Sequence, residues 1–137
     1  MRERWAGKLI LKGVLSADDA VRIRDAGADA VYVSNHGGRQ LDAAPAAIDV
    51  LPEIRQAVGA DYPLIFDSGI RSAEGIVKAL ALGADFVMLG RPFLYASGAD
   101  GQRGVYRLVE LLKNDLLLVL AQIGCIDVSQ IDHNVLA

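Results

Sequence analysis

The chain has 137 residues, of which 53% are hydrophobic and 23% charged, with a net charge of -3. That composition excludes a disordered chain, and the acidic balance argues against a nucleic-acid partner, which would need a basic face. A single cysteine, Cys125, excludes an internal disulfide and any CxxC redox or zinc pattern, so a reducing cytoplasmic setting is expected.

The N-terminal residues Met1 to Trp5 carry charges rather than the apolar core of a signal peptide. Leu9-Ile10-Leu11 is a continuous apolar run that reads as a buried parallel strand closed by Lys12-Gly13. Ser16, with Asp18 and Asp19 behind it, is an N-cap signal, and Gly27 stops the helix that follows. Ala30 to Val33 reads as a second strand. Pro45 to Val58 reads as a second helix, with Pro45 in its first turn. Leu64-Ile65-Phe66 is a third strand, and Ser72 opens a third helix that runs to Gly83. Phe86 to Leu89 is a fourth strand, ending at Gly90-Arg91-Pro92. A glycine-rich loop (Gly98, Gly101, Gly104) is expected next, then an amphipathic helix from about Val105 to Ile123. Cys125 reads as buried packing near that helix end. The apolar run Leu116 to Ala121 is too short to span a bilayer, and the tail is weakly patterned.

Four strand–helix units in succession predict a parallel α/β sheet with right-handed crossovers. The string Gly27-Ala28-Asp29-Ala30-Val31 returns as Gly83-Ala84-Asp85-Phe86-Val87, joining helix to strand in both places. Paired βα repeats suit a (β/α)8 TIM barrel, which needs roughly 250 residues. Half of such a barrel is therefore expected: residues 1–137 as one (β/α)4 unit, with a lead-in over 1–8 and a tail over 126–137. An open sheet of flavodoxin type is the competing architecture. Four parallel strands would leave two open edges and an apolar inner face in need of a partner.

In parallel α/β folds chemistry sits at the C-terminal strand ends. Those ends carry Lys12; then Ser34, His36 and Arg39; then Asp67, Ser68, Gly69 and Arg71; then Gly90 and Arg91. The two glycine–arginine groups suit a phosphate, since glycine lets backbone N–H groups approach an anion and arginine adds a forked donor. The competing reading is turn glycines with surface arginines. Lys12 is either a rim lysine or a fixed cation for an anionic group. Histidine is the residue type suited to general-base work near neutrality, which makes His36 a candidate base, and Arg39 three residues on could hold a carboxylate of the same substrate. No nucleophile elbow surrounds Ser34, and no metal-ligand cluster is apparent.

The block SNHGGRQLD, preceded by LILKG and followed by DSGIR and KALALGADFVMLGRPF, resembles the FMN-dependent α-hydroxy acid dehydrogenases. That family includes glycolate oxidase, lactate oxidase, L-lactate dehydrogenase and mandelate dehydrogenase. The similarity runs from Trp5 to about Cys125 and matches the C-terminal half of the family barrel, strands five to eight. It implies oxidation of a 2-hydroxy acid to a 2-oxo acid with FMN as cofactor. By the resemblance Lys12 contacts the flavin and stabilises its reduced anion, His36 is the active-site base, and Arg39 binds the substrate carboxylate. Ser34 lies near the flavin, and Asp67, Ser68, Gly69, Arg71, Gly90 and Arg91 fall in segments that hold the ribityl chain and phosphate. The family's other half supplies further flavin contacts, substrate-binding tyrosines and a carboxylate paired with the histidine. Ser72-Ala73-Glu74-Gly75 departs mildly from the family's start of that helix. Weak or absent activity alone is the expectation, with a missing N-terminal half-barrel or self-association as a homo-oligomer completing the fold. A non-catalytic half-barrel that binds phosphate or FMN is the alternative.

Overall fold

The computed structural model describes residues 2–136; Met1 and Ala137, the outermost residues of the lead-in and the tail, lie outside them. Strands β1 (Ile10–Val14), β2 (Ala30–Val33), β3 (Leu64–Phe66) and β4 (Phe86–Val87) alternate with helices α1 (Ala17–Asp25), α2 (Ala47–Val58), α3 (Ala73–Ala81) and α4 (Arg91–Gln122). The strands form one parallel sheet in the order β1-β2-β3-β4. Sequential order is that of consecutive barrel strands. It excludes the flavodoxin arrangement, in which the strand order reverses at a switch point.

Alternation along the strands sorts the two faces. Val31, Val33, Leu64 and Phe66 are fully buried against Ala20, Leu51, Ile54, Val58 and Ala79 of the helices. The other face carries Lys12, Tyr32, Ile65 and Phe86, which lie side by side in one row of the strand register, with Ile10 two residues before Lys12 on the same side. Ile10 and Phe86 on this inner face are 47% and 59% exposed. Both sheet edges are unpaired among the described residues, and a groove of about 1420 Å³ runs along β1.

The turns that enter β2 and β4 share one device. Arg55 Nε donates to the Gly83 carbonyl at 2.8 Å, and its Nη2 pairs with Asp85, whose carboxylate accepts the Leu64 N–H at 2.7 Å. Arg2 Nε donates to the Gly27 carbonyl at 2.8 Å, and its Nη2 pairs with Asp29, which accepts the Leu9 N–H at 2.8 Å. The repeated Gly-Ala-Asp string is thus a repeated clamp. Its carboxylate ties the start of one strand to the neighbouring strand. The Leu9 N–H, then Lys8 and Arg2, hold Asp29 well below the usual carboxylate range.

Several expectations need correction. β1 does not close at Lys12-Gly13 but continues to Val14 through a bulge, with Gly13 at φ 95° absorbing the extra residue. α2 starts at Ala47, not Pro45; the Pro45 carbonyl accepts from the Asn35 side chain at 3.3 Å, holding Pro45 in the preceding loop. β4 ends at Val87, although the Met88 N–H still donates to the Phe66 carbonyl at 2.8 Å. Cys125 is half-buried, not buried. The expected glycine-rich loop is helical from Arg91 onward, broken only where Asp100 and Gly101 leave helical φ/ψ. The break lets the second segment pack back on the first: a Cβ at Gly104 would sit 2.0 Å from the Ala96 carbonyl oxygen. In the tail, Asp127 and Asp132 cap short 3-10 turns at Val128–Gln130 and His133–Leu136, the latter against α3.

Gly104→Ala is therefore expected to lower stability by roughly 2 kcal/mol, since backbone cannot yield as a side chain can. Gly98→Ala, where an added Cβ meets nothing within 4 Å, should be neutral or stabilising. Thermal melts of the two variants check this pair; equal melting points would contradict the packed break.

Candidate active site

Three strand ends are tied together at one rim of the sheet. β1 presents Lys12, whose Nζ donates to Ser34 Oγ at 2.8 Å and to Asp67 Oδ2 at 2.5 Å. Ser34, directly after β2, is the one fully buried polar side chain among the described residues, and its Oγ also accepts the His36 N–H at 3.1 Å. Asp67, directly after β3, accepts from the Tyr32 hydroxyl at 2.9 Å and, through its other oxygen, from Ser68 Oγ at 2.9 Å. Ser68 Oγ in turn accepts the Asn35 N–H at 3.1 Å. Lys12 Nζ also lies 3.9 Å from the Tyr32 ring centroid, a cation–π distance.

Electrostatics follow from this wiring. Burial would raise the Asp67 carboxyl, but the hydrogen bonds, led by Lys12 and including Ser68 and Tyr32, outweigh it and hold Asp67 below its ordinary value. Burial first, and then the bond to Asp67, raise the Tyr32 phenol, so it stays a protonated donor.

The loops after β2 and β3 are conformationally strained. His36 has φ 57° and Ser68 has φ 89°, both in the left-handed region that non-glycine residues rarely enter. Asn35 Oδ1 accepts the Gly37 N–H at 3.0 Å and turns the chain at His36-Gly37-Gly38. Gly13 makes room for the imidazole: a Cβ there would lie 2.5 Å from His36 Nε2. Arg91, from the start of α4, donates to the Gly37 carbonyl and braces the turn from the β4 side.

These ends enclose a cleft of about 720 Å³, within the range of small-molecule sites. Lys12, His36, Arg39, Asp67, Ser68, Gly69, Arg71, Gly90 and Arg91 all line it, so the structure brings nine of the ten expected site residues to one wall; Ser34 lies behind them, bonded to Lys12. Four of the lining side chains are cationic and only Asp67 is anionic, in a chain whose net charge is -3. A Cβ added at Gly69 or Gly90 would enter open space, so both backbones can be approached closely. An anionic, phosphate-bearing cofactor fits this donor set. His36 and Arg39 stand exposed at the mouth, where a second, smaller anion can be met. Tyr32 was missed by sequence reading, because within the apolar run Ala30 to Val33 it looks like another packing residue. Among the described residues no cluster could hold a metal ion.

The Asp67 shift sets a pH dependence. The folded-state value lies below the ordinary 3.8, so the folded chain binds fewer protons here than the unfolded chain. The resulting stabilisation is complete above that ordinary value and is lost as pH falls below it. Asp67→Asn is expected to cost roughly 2 kcal/mol at neutral pH and to flatten the acid limb of a denaturation series, a comparison that urea melts from neutral pH down to acid will check.

The family model described as FMN-dependent dehydrogenase matches residues 1–137. The chain is 46% identical over 125 residues to an L-lactate oxidase of Lactobacillus jensenii, covering 91% of this chain and 31% of that protein. It is 46% identical over 136 residues to an L-lactate dehydrogenase of Pseudomonas syringae pv. syringae (strain B728a), covering 99% of this chain and 36% of that protein. Among solved structures, a soluble mutant of the membrane-associated (S)-mandelate dehydrogenase from Pseudomonas putida superposes with a TM-score of 0.92 at 47% identity, covering 97% of this chain and 38% of that one. The chain spans about a third of the length of the curated relatives it matches. Four parallel βα units with this match are part of a TIM barrel, and the cofactor that the family uses is FMN. The chain belongs to the FMN-dependent dehydrogenase family.

Proposed function

We propose that the chain forms one wall of the active site of an enzyme that oxidises a 2-hydroxy acid to a 2-oxo acid with FMN. The observation that carries this reading is the single cleft in which Lys12, His36, Arg39, Arg71 and Arg91 meet the open backbones of Gly69 and Gly90. FMN, when bound, supplies the two-electron acceptor. Lys12, its ammonium held by Ser34 and Asp67, would set a fixed positive charge beside the flavin ring. Ser68, Gly69, Arg71, Gly90 and Arg91 would hold the ribityl chain and phosphate. Arg39 pairs with the substrate carboxylate, and His36 takes a proton from the same molecule.

Such a wall works only when the barrel is closed. The exposed inner face and the two unpaired edges call for further βα units, and the length of the relatives points to a longer polypeptide or partner that supplies them. Alone, the chain is expected to be weakly active or inactive, and self-association is the alternative way to cover the inner face. No helix among the described residues is long and apolar enough to cross a membrane; a cytoplasmic site of action goes with this reading. The same cationic wall also suits a half-barrel that binds FMN or phosphate without catalysis.

Co-expression with the remaining barrel units of a relative should give a yellow protein whose flavin bleaches anaerobically on adding L-lactate, glycolate or mandelate. His36→Gln should retain the flavin and slow bleaching by about 10²- to 10⁴-fold. Arg39→Met should instead raise the acid concentration required. A flavin-loaded protein that ignores all three acids would favour the non-catalytic reading, and a colourless, self-associating one would sink both.

A further inference from the structure

We propose, resting on the flavin-site reading above, that Tyr32 is a positioning residue for the Lys12 ammonium: its ring lies against the cation, and its hydroxyl anchors the carboxylate with which that cation pairs. The placement follows from register. Lys12, Tyr32 and Ile65 are direct neighbours across β1, β2 and β3. Asp67 lies two residues beyond Ile65 and so on the same side of the sheet. A tyrosine is long enough to reach diagonally from its own row to that of Asp67, and the hydroxyl does so at 2.9 Å.

The two contacts act on one cation. Lysine is a flexible four-carbon stem whose rotamer freedom must be suppressed if the charge is to stay at one point. The Tyr32 ring is rigid, with its centroid 3.9 Å from Nζ. The hydroxyl and Nζ share the same carboxylate oxygen, Asp67 Oδ2, while Ser68 holds the other, so the carboxylate cannot swing away and take the lysine with it. Burial and Asp67 keep the phenol protonated, so it remains a donor. Lys12 nevertheless keeps 40% of its side-chain surface exposed and lines the cleft, so an anionic ring system entering it meets a cation already in place. An aliphatic side chain at position 32 would fill the strand equally well but would provide neither contact.

Two variants separate the parts of this role. Tyr32→Phe keeps the ring and the fold but loses the hydroxyl; Tyr32→Leu loses both contacts. In the flavin-free chain, ¹H–¹⁵N spectra of the lysine ammonium groups should show Lys12 protected from solvent exchange, less so in Tyr32→Phe and unprotected in Tyr32→Leu. With FMN, the dissociation constant from flavin fluorescence should rise about threefold and about tenfold respectively. The midpoint potential of the bound flavin should fall in the same order, because a displaced cation stabilises the reduced anion less. Protection, affinity and potential all equal to wild type in both variants would overturn the proposal. Loss of Lys12 protection in a chain that binds no FMN even with the rest of the barrel supplied would uphold the positioning role and reject the flavin-site reading instead.

Discussion

The carboxylate of Asp67 is the contact on which this site depends. It receives the ammonium of Lys12 from β1, the phenol of Tyr32 from β2 and the hydroxyl of Ser68 from its own loop. Three strand ends are thereby fixed relative to one another by charge-assisted bonds in a partly buried place, where such bonds are stronger than at the open surface. Ser34 extends the knot to the backbone of His36, and Asn35 to Ser68. Taking out this one carboxylate would leave a flexible lysine and a strained loop with no common reference.

At the other rim of the sheet the wiring serves stability. Arg2 and Arg55 each bind the carbonyl of a Gly-Ala-Asp turn and its aspartate, and each aspartate holds a backbone N–H at the start of a neighbouring strand, Leu9 just before β1 and Leu64 at the head of β3. This division matches the general rule for parallel barrels, in which one rim carries folding and the other carries chemistry. A stiff lower rim allows the upper loops to hold uncommon conformations at His36 and Ser68, which a looser frame would relax.

The open inner face sets how the chain works. Ile10, Phe86 and Met88 expose apolar surface that in a closed barrel would face other strands. The cleft has one built wall, rich in cations, and its lining includes exposed Leu94 and Tyr95 at the start of α4. A single cationic wall attracts anions but leaves them open to water on the uncovered side. The length difference from the relatives and the exposed inner face thus point the same way: towards a site completed by further barrel units.

Local pattern carried the architecture. Apolar runs such as Leu64 to Phe66, the Ser16 and Ser72 caps and the stop at Gly27 are decided by neighbours a few residues away, so order and type of the elements were readable from sequence, as was the family block around His36. Where local signals mislead, tertiary contact had overruled them. Glycines at 98 and 104 looked like a loop, but the chain there is helical, and the close approach of Gly104 to Ala96 is what requires a glycine at 104. The bulge at Gly13 depends on pairing with β2. Tyr32 resembles any strand residue until register sets it between Lys12 and Asp67, which are 55 residues apart in the chain. Arg91 binds the turn after β2 from the far side of the cleft, a contact no spacing rule foretells. The sequence by itself determined the order and type of the elements and the strand end at which each candidate residue stands, because those follow from apolar periodicity and local turn signals. Only the tertiary structure decided which of them share a proton, a charge or a carbonyl, because such pairing is a matter of register between strands and of distance across the rim.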